Sequence, residues 1–384
     1  MLDQVSVTAF SFDVLRRFPD AEAANLFAVD ATDRLLLDEA ADALTGAGRV
    51  AVIGDHYGAL TLGAIAQHGV GFVRVHQDLL TSERALEANA MLTGLSDRYQ
   101  HHALGPELLL DGATVVLVQS PKSLDGLREV AEAIARHADP RVAVYVGGRV
   151  KHMTRAMNDV LGDSFESVRA SLARQKSRVL IADTPRRQLS PPTFPLRELH
   201  DDLGLLVGAH GEAFAGTKVD IGTRYLLSFL GQMGKRASQA VDLGCGTGIL
   251  AAALARSRPE LSVIATDQSS TAVASAAETM RANGLADRVE IRRDNAMAGW
   301  PDGSTDLVML NPPFHLGTTV DTSAAEALFE AAGRVLRPGG ELWTVFNSHL
   351  TYQRPHGPLA RSIGPTRVVG RNPKFTVTVS IRRG

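Results

Sequence analysis

The chain has 384 residues, 45% of them apolar, which is enough for two domains of ordinary size, each with its own core. A formal charge of −2 excludes a global basic field, so any nucleic-acid contact must come from local patches. One cysteine, Cys245, rules out a disulfide framework and a cysteine-built zinc site; Met1 to Phe18 lack the layout of a signal peptide and no apolar run is long enough to span a bilayer, so a cytoplasmic protein with no metal and no membrane partner is expected.

In chain order, the first punctuated segment is Val52 to Leu60, an apolar run entering Gly54 and Gly58. A stretch with four prolines in eleven residues, 185 to 195, reads as a linker and divides a first domain, 1–184, from a second, 196–384. Beyond it, elements alternate as a parallel sheet requires. Ala240 to Leu243 is a strand, Gly244 to Gly248 a turn, and Ile249 to Ser257 a helix. A strand from Val263 to Thr266 precedes Asp267, and an alanine-rich helix from Ser270 to Asn283 is closed by Gly284. Val289 to Arg292 and Asp306 to Leu310 are further strands, the latter delivering Asn311. A helix from Ser323 to Leu336 is ended by Pro338-Gly339-Gly340, followed by a strand from Glu341 to Phe346; Thr366 to Gly370 and Phe375 to Ile381 form a closing hairpin.

The halves repeat. A shift of 190 residues lays Val52 to Leu60 over Asp242 to Leu250, and nine positions between 54 and 98 are identical without a gap. One further residue of shift lays Ser120 over Asn311. The fold class is therefore α/β, two tandem Rossmann-like domains. The first copy has Val52, His56, Gln77 and Ser120 where the second has Asp242, Gly246, Asp267 and Asn311, so the first is expected to keep the fold and lose the ligand site.

In the second copy, glycines at 244, 246 and 248 after Asp242 let a ligand approach the backbone at the carboxyl end of a strand. This spacing is tighter than the pyrophosphate-binding GxGxxG and suits an amino-acid-bearing sulfonium, with Asp242 towards its cationic end. Asp267 is placed to accept from ribose hydroxyls, and Asp294 and Asn295 to read an adenine edge.

The turn Asn311-Pro312-Pro313-Phe314-His315 fits methylation of a planar, conjugated amine. Such an amine shares its lone pair with a π system and must rehybridise to attack a methyl sulfonium. Acceptors for its N–H bonds lower that barrier, and the Asn311 side-chain oxygen and the Pro312 carbonyl are the natural pair. Phe314 offers a face for a base to stack on.

The second half resembles class I S-adenosylmethionine-dependent methyltransferases of the small-domain superfamily. The whole chain resembles the bacterial ribosomal RNA guanine-N2 methyltransferases, most specifically over 211–352, including Val219 to Arg224, Asn311 to His315 and Asn347 to Leu350. Ser11 to Pro19 and Asp294 to Gly299 lean towards the member acting on large-subunit rRNA. The resemblance implies methyl transfer to guanine N2 in 23S rather than 16S rRNA, with ribosomal RNA or a ribosomal subunit as partner and no metal. It places Asn311, Pro312 and Phe314 at the base, and Asp242, Gly244, Gly246, Asp267 and Asp294 around the cofactor. The alternatives are N6-adenine or protein glutamine N5 methylation, or a non-catalytic ribosome-assembly factor. Two acid-poor segments could contact phosphates: 342–384, with seven Lys or Arg and no acid, and 169–187, with six and Asp183 alone.

Overall fold

The structure, a computed structural model, describes residues 10–105, 108–187, 191–313 and 323–384. The chain divides into two compact units, residues 1–193 and 194–384. The proline-rich stretch 185–195 straddles that division, and its residues 188–190 lie outside the described ones.

The first unit is built on β1 (Val50–Ile53), β2 (Val73–His76), β3 (Tyr99–His101), β4 (Val115–Gln119), β5 (Ala143–Arg149), β6 (Phe165–Ala170) and β7 (Ser177–Pro185). Their order in the sheet is β3-β2-β1-β4-β5-β7-β6. The second unit begins with a hairpin of β8 (Leu196–His200) and β9 (Leu205–Ala209). Its main sheet holds β10 (Gln239–Leu243), β11 (Ser262–Asp267), β12 (Val289–Arg293), β13 (Thr305–Leu310), β14 (Leu336–Asn347), β15 (Thr366–Arg371) and β16 (Phe375–Ile381). These lie in the order β12-β11-β10-β13-β14-β16-β15.

The two sheets follow the same permutation: the first five strands of each pair in parallel and the last two in antiparallel fashion. The repeat extends to single atoms. Gly54 N–H donates to the His76 carbonyl at 2.9 Å and Gly244 N–H donates to that of Thr266 at 2.8 Å, each pair 190 residues from the other. Gly58 and Gly248 both sit in the left-handed region, at φ +91° and +76°.

Apolar residues run through the central strands because both sheet faces are covered. In the second unit Ala240, Leu307 and Met309 face one core, while Val241, Leu243, Val308 and Leu310 face the other with Phe329 and Phe346. Each such large side chain contributes about 1.5–3 kcal/mol by leaving water.

Two local features differ from the sequence reading. Pro338-Gly339-Gly340 does not separate a helix from a strand; it lies inside β14, where the register against β13 jumps from Thr305↔Leu336 to Leu307↔Glu341. The extra residues form a bulge, with Gly339 at φ +80°. The hairpin β8–β9 was not foreseen. It is tied to the helix Ser270–Ala282 by Gly208 N–H donating to Thr279 Oγ1 at 3.0 Å and Leu206 N–H donating to Asn283 Oδ1 at 3.0 Å.

Candidate active site

A parallel sheet opens a crevice at its carboxyl edge where the strand order reverses. In the second unit that point lies between β10 and β13. Four strand ends meet the same edge there, carrying Gly244 to Gly248, Asp267, Asp294 and Asn311. The residues singled out in sequence are thus brought to one edge, except Phe314 and His315, which lie outside the described residues.

The glycine loop has room for a ligand. Gly244 and Gly246 lie at φ +68° and +52°, and a Cβ added to either would meet nothing within 4 Å. Gly248 is different: a Cβ there would stand 2.9 Å from Met280 Cε and 3.0 Å from Ala276 Cβ, so this glycine lets the loop close onto the helix behind it. Asp242 is buried beneath the loop, where its Oδ2 accepts from Ala251 N–H at 3.0 Å. Burial pushes its carboxyl up to about 7; the Ala251 N–H opposes the rise and the Asp267 charge adds to it. Burial also pushes the Cys245 thiol well up, which fits a small packing side chain rather than a nucleophile.

Asp267 spans the two loops around it, accepting from Gly246 N–H at 3.1 Å and Ser269 N–H at 3.0 Å. Asp294 Oδ1 accepts from Ala298 N–H at 2.9 Å and holds a turn in which Ala296 and Met297 are left-handed; half-buried Asn295 begins that turn, its carbonyl accepting from Ala298 N–H at 3.2 Å. This open, acid-lined loop set fits a ribose- and cation-bearing nucleoside. Among the described residues no cluster of three His, Cys, Asp or Glu could hold a metal ion.

Asn311 ends β13. Its Nδ2 donates to Asp220 Oδ2 at 2.9 Å and to Thr223 Oγ1 at 3.0 Å, while its Oδ1 is buried with no hydrogen-bond partner among the described residues. Pro312, next to it, is buried and Pro313 is exposed. The sequence reading gave Asp220 and Thr223 no task. An Asp-x-x-Thr helix start was the available signal, since Asp220 caps the helix Ile221–Leu227 by accepting from Thr223 N–H at 3.0 Å. Trp300 and Trp343 are packing residues: Arg292 lies over the first at 4.8 Å, and the second donates from Nε1 to Glu341 at 2.6 Å.

The corresponding edge of the first unit is filled by its own groups. Gln77, in place of Asp267, donates to the Asp55 and Ser82 carbonyls. Val52, in place of Asp242, is fully buried. Asp55 has taken over the buried acid's bond, accepting from Thr61 N–H at 2.8 Å, and Thr61 is the residue that corresponds to Ala251.

Comparison with known proteins gives a separate family match for each unit. A family model described as "Methyltransferase small domain" matches residues 204–379, and one described as "RLMG N-terminal domain" matches residues 4–186. "Ribosomal RNA large subunit methyltransferase G" of Streptomyces coelicolor is 36% identical over 377 residues, 96% of this chain and 98% of that protein. The chain belongs to this family. A relative of the same name from Pseudomonas aeruginosa PAO1 is 35% identical over 372 residues, covering 96% and 97% of the two chains. In fold, the chain matches a T. thermophilus 16S rRNA N2 methyltransferase, RsmC, solved in complex with AdoMet and guanosine, with a TM-score of 0.70 at 19% identity over 90% of this chain and 92% of that one.

Proposed function

We propose that the second unit transfers the methyl group of S-adenosylmethionine to the exocyclic N2 amine of a guanine in large-subunit ribosomal RNA. The observation that carries this reading is the Oδ1 of Asn311, buried and without a partner among the described residues, at the carboxyl edge beside the open glycine loop. A buried acceptor without a donor costs free energy in the resting protein, and an incoming amine N–H relieves that cost. The family's name and the ligands of RsmC support the same choice of cofactor and base.

The cofactor supplies an electrophilic methyl on a sulfonium. Asp267 would hold its ribose, Asp242 would favour its cationic end, and Asp294 with Asn295 would meet its base. Asn311 Oδ1 and the Pro312 carbonyl accept the two amine N–H bonds, drawing them out of the base plane and freeing the nitrogen lone pair. Phe314 stacks on the base. A guanine amine lies beside N1–H and an adenine amine beside a bare N1, so a site built to accept from both groups rejects adenine by leaving an acceptor unpaired.

The first unit supports RNA binding rather than chemistry. At the carboxyl edge of its sheet, Lys151, Arg155 and Lys176 are exposed, beside Arg149 at the end of β5. Val150 N–H donates to the Lys176 carbonyl at 2.9 Å, so these residues share one edge. Arg187, from the same basic segment, is turned to helix-end carbonyls of Arg136 and Ala138.

The test is mass spectrometry of nuclease-digested 23S rRNA after reaction with labelled cofactor. N2-methylguanosine is expected. Label in N6-methyladenosine, or in protein glutamine, overturns the assignment.

A further inference from the structure

A primary amide has two ends of nearly the same shape and opposite chemistry. Rotating the Asn311 amide by half a turn would present Nδ2 to the crevice, where its N–H bonds would face those of the incoming amine. Orientation therefore decides whether Asn311 is an acceptor at all.

We infer that Asp220 and Thr223 are positioning residues that fix this orientation and keep Oδ1 turned to the amine. The inference rests on the proposed amine methylation. Asp220 Oδ2, 2.9 Å from Asn311 Nδ2, is a carboxylate oxygen and accepts only; the flipped amide would set two acceptors against each other at that distance. Thr223 Oγ1, at 3.0 Å, takes the second N–H, so both amide protons are committed away from the crevice. Polarising the amide through two donated bonds also makes Oδ1 a stronger acceptor.

The surroundings are built to permit this approach. Gly222, between the two residues, could not carry a side chain without intrusion: an added Cβ would lie 3.0 Å from Asp220 Oδ2, 3.3 Å from Phe375 Cε1 and 3.6 Å from Asn311 Nδ2. Asp220 is itself held by Thr223 N–H at 3.0 Å, so the helix start and the amide lock share one carboxylate.

The first unit supplies an internal comparison. Asp30 and Asp33 stand 190 residues before Asp220 and Thr223, and Gln119 Nε2 donates to Asp33 Oδ1. An amide-to-helix link thus survives where catalysis is not expected, and it comes from the Asn311 position itself: Val118 pairs with Ile53 as Leu310 pairs with Leu243, so the next residue, Gln119, stands where Asn311 does, and not Ser120 as the ungapped shift suggested. Linking strand to helix is an architectural task that both copies perform. A buried amide oxygen with no hydrogen-bond partner among the described residues stands at this position in the second, at Asn311.

The experiment must separate these tasks. In the full chain, Thr223→Val and Asp220→Ala should each lower kcat for 23S rRNA methylation about tenfold and together about a hundredfold. Thr223→Ser, which keeps the hydroxyl, should stay near wild type. The KM for rRNA and the calorimetric affinity for S-adenosylmethionine should change less than about threefold throughout. Introduced into Asn311→Ala, the double substitution should cost nothing further, because there is no amide left to orient. Equal losses in the wild-type and Asn311→Ala backgrounds, or unchanged kcat in Thr223→Val and Asp220→Ala, would overturn the inference. If Asn311→Ala is itself fully active, it is the amine-acceptor reading that fails, a result distinct from active Asp220 and Thr223 variants beside an inactive Asn311→Ala.

Discussion

Asn311→Ala should separate the two consequences of removing one amide. Its Nδ2 makes bonds of 2.9 Å to Asp220 and 3.0 Å to Thr223, and deleting them at about 1 kcal/mol each costs the second unit about 2 kcal/mol. For a unit of this size that is a fall in unfolding midpoint of roughly 4–8 °C. The Oδ1 atom makes no hydrogen bond among the described residues, so its loss adds nothing to that cost. Its contribution comes as the amine rehybridises, where losing one aimed group typically costs about 10²–10³-fold in rate. Single-turnover transfer of labelled methyl to 23S rRNA measures the rate, a melting curve the stability, and calorimetry the cofactor affinity, which should hold because the Asn311 amide donates to Asp220 and Thr223 and not to the residues assigned to the cofactor. Turnover within about threefold of wild type, with the midpoint lowered as stated, would mean that Asn311 is a structural link and that another group accepts the amine.

Calorimetry on the whole chain should give one S-adenosylmethionine site, lost in Gly246→Val because φ +52° is a conformation a β-branched residue resists; two sites would show that Gln77 and Asp55 leave the first crevice open. Asp242, held at about 7 against about 3.9 when unfolded, contributes stability that is fully present below about pH 4 and is lost as the pH rises through about 7. The melting midpoint of Asp242→Asn should therefore gain on wild type between pH 5 and pH 8; a constant gap refutes the burial argument. Reversing Lys151, Arg155 and Lys176 to Glu should weaken 23S rRNA binding about tenfold or more and flatten its salt dependence by about two in log–log slope, with cofactor binding unchanged. An unaltered slope removes that edge from the RNA contact.

The fold was legible because a parallel sheet writes itself as apolar runs punctuated by glycine and proline, and a duplicated one writes itself twice. Ile249 to Ser257 and Phe375 to Ile381 end where their sequence signals end. The Pro338-Gly339-Gly340 bulge was not legible, because local chemistry that stops a helix also suits a bulge, and only pairing with β13 decides between them. Asn311 stood out by its turn. Its partners did not: Asp220 and Thr223 lie 91 and 88 residues earlier, and side-chain orientation across such a gap is a tertiary fact without a local signature.

The migration of the buried acid bears on how the first unit can evolve. Restoring Val52→Asp alone would put a second carboxyl next to Asp55, which already holds the Thr61 N–H and already raises the buried Asp33. That intermediate has three acids crowded in a buried space, so it folds worse before it can bind anything. Recovery needs the old acid regained and the new one removed together, with Gln77 changed as well. A loss of stability therefore stands between the first unit and a cofactor acid at Val52, and under the proposed RNA-binding role its surface can diversify without a competing active site.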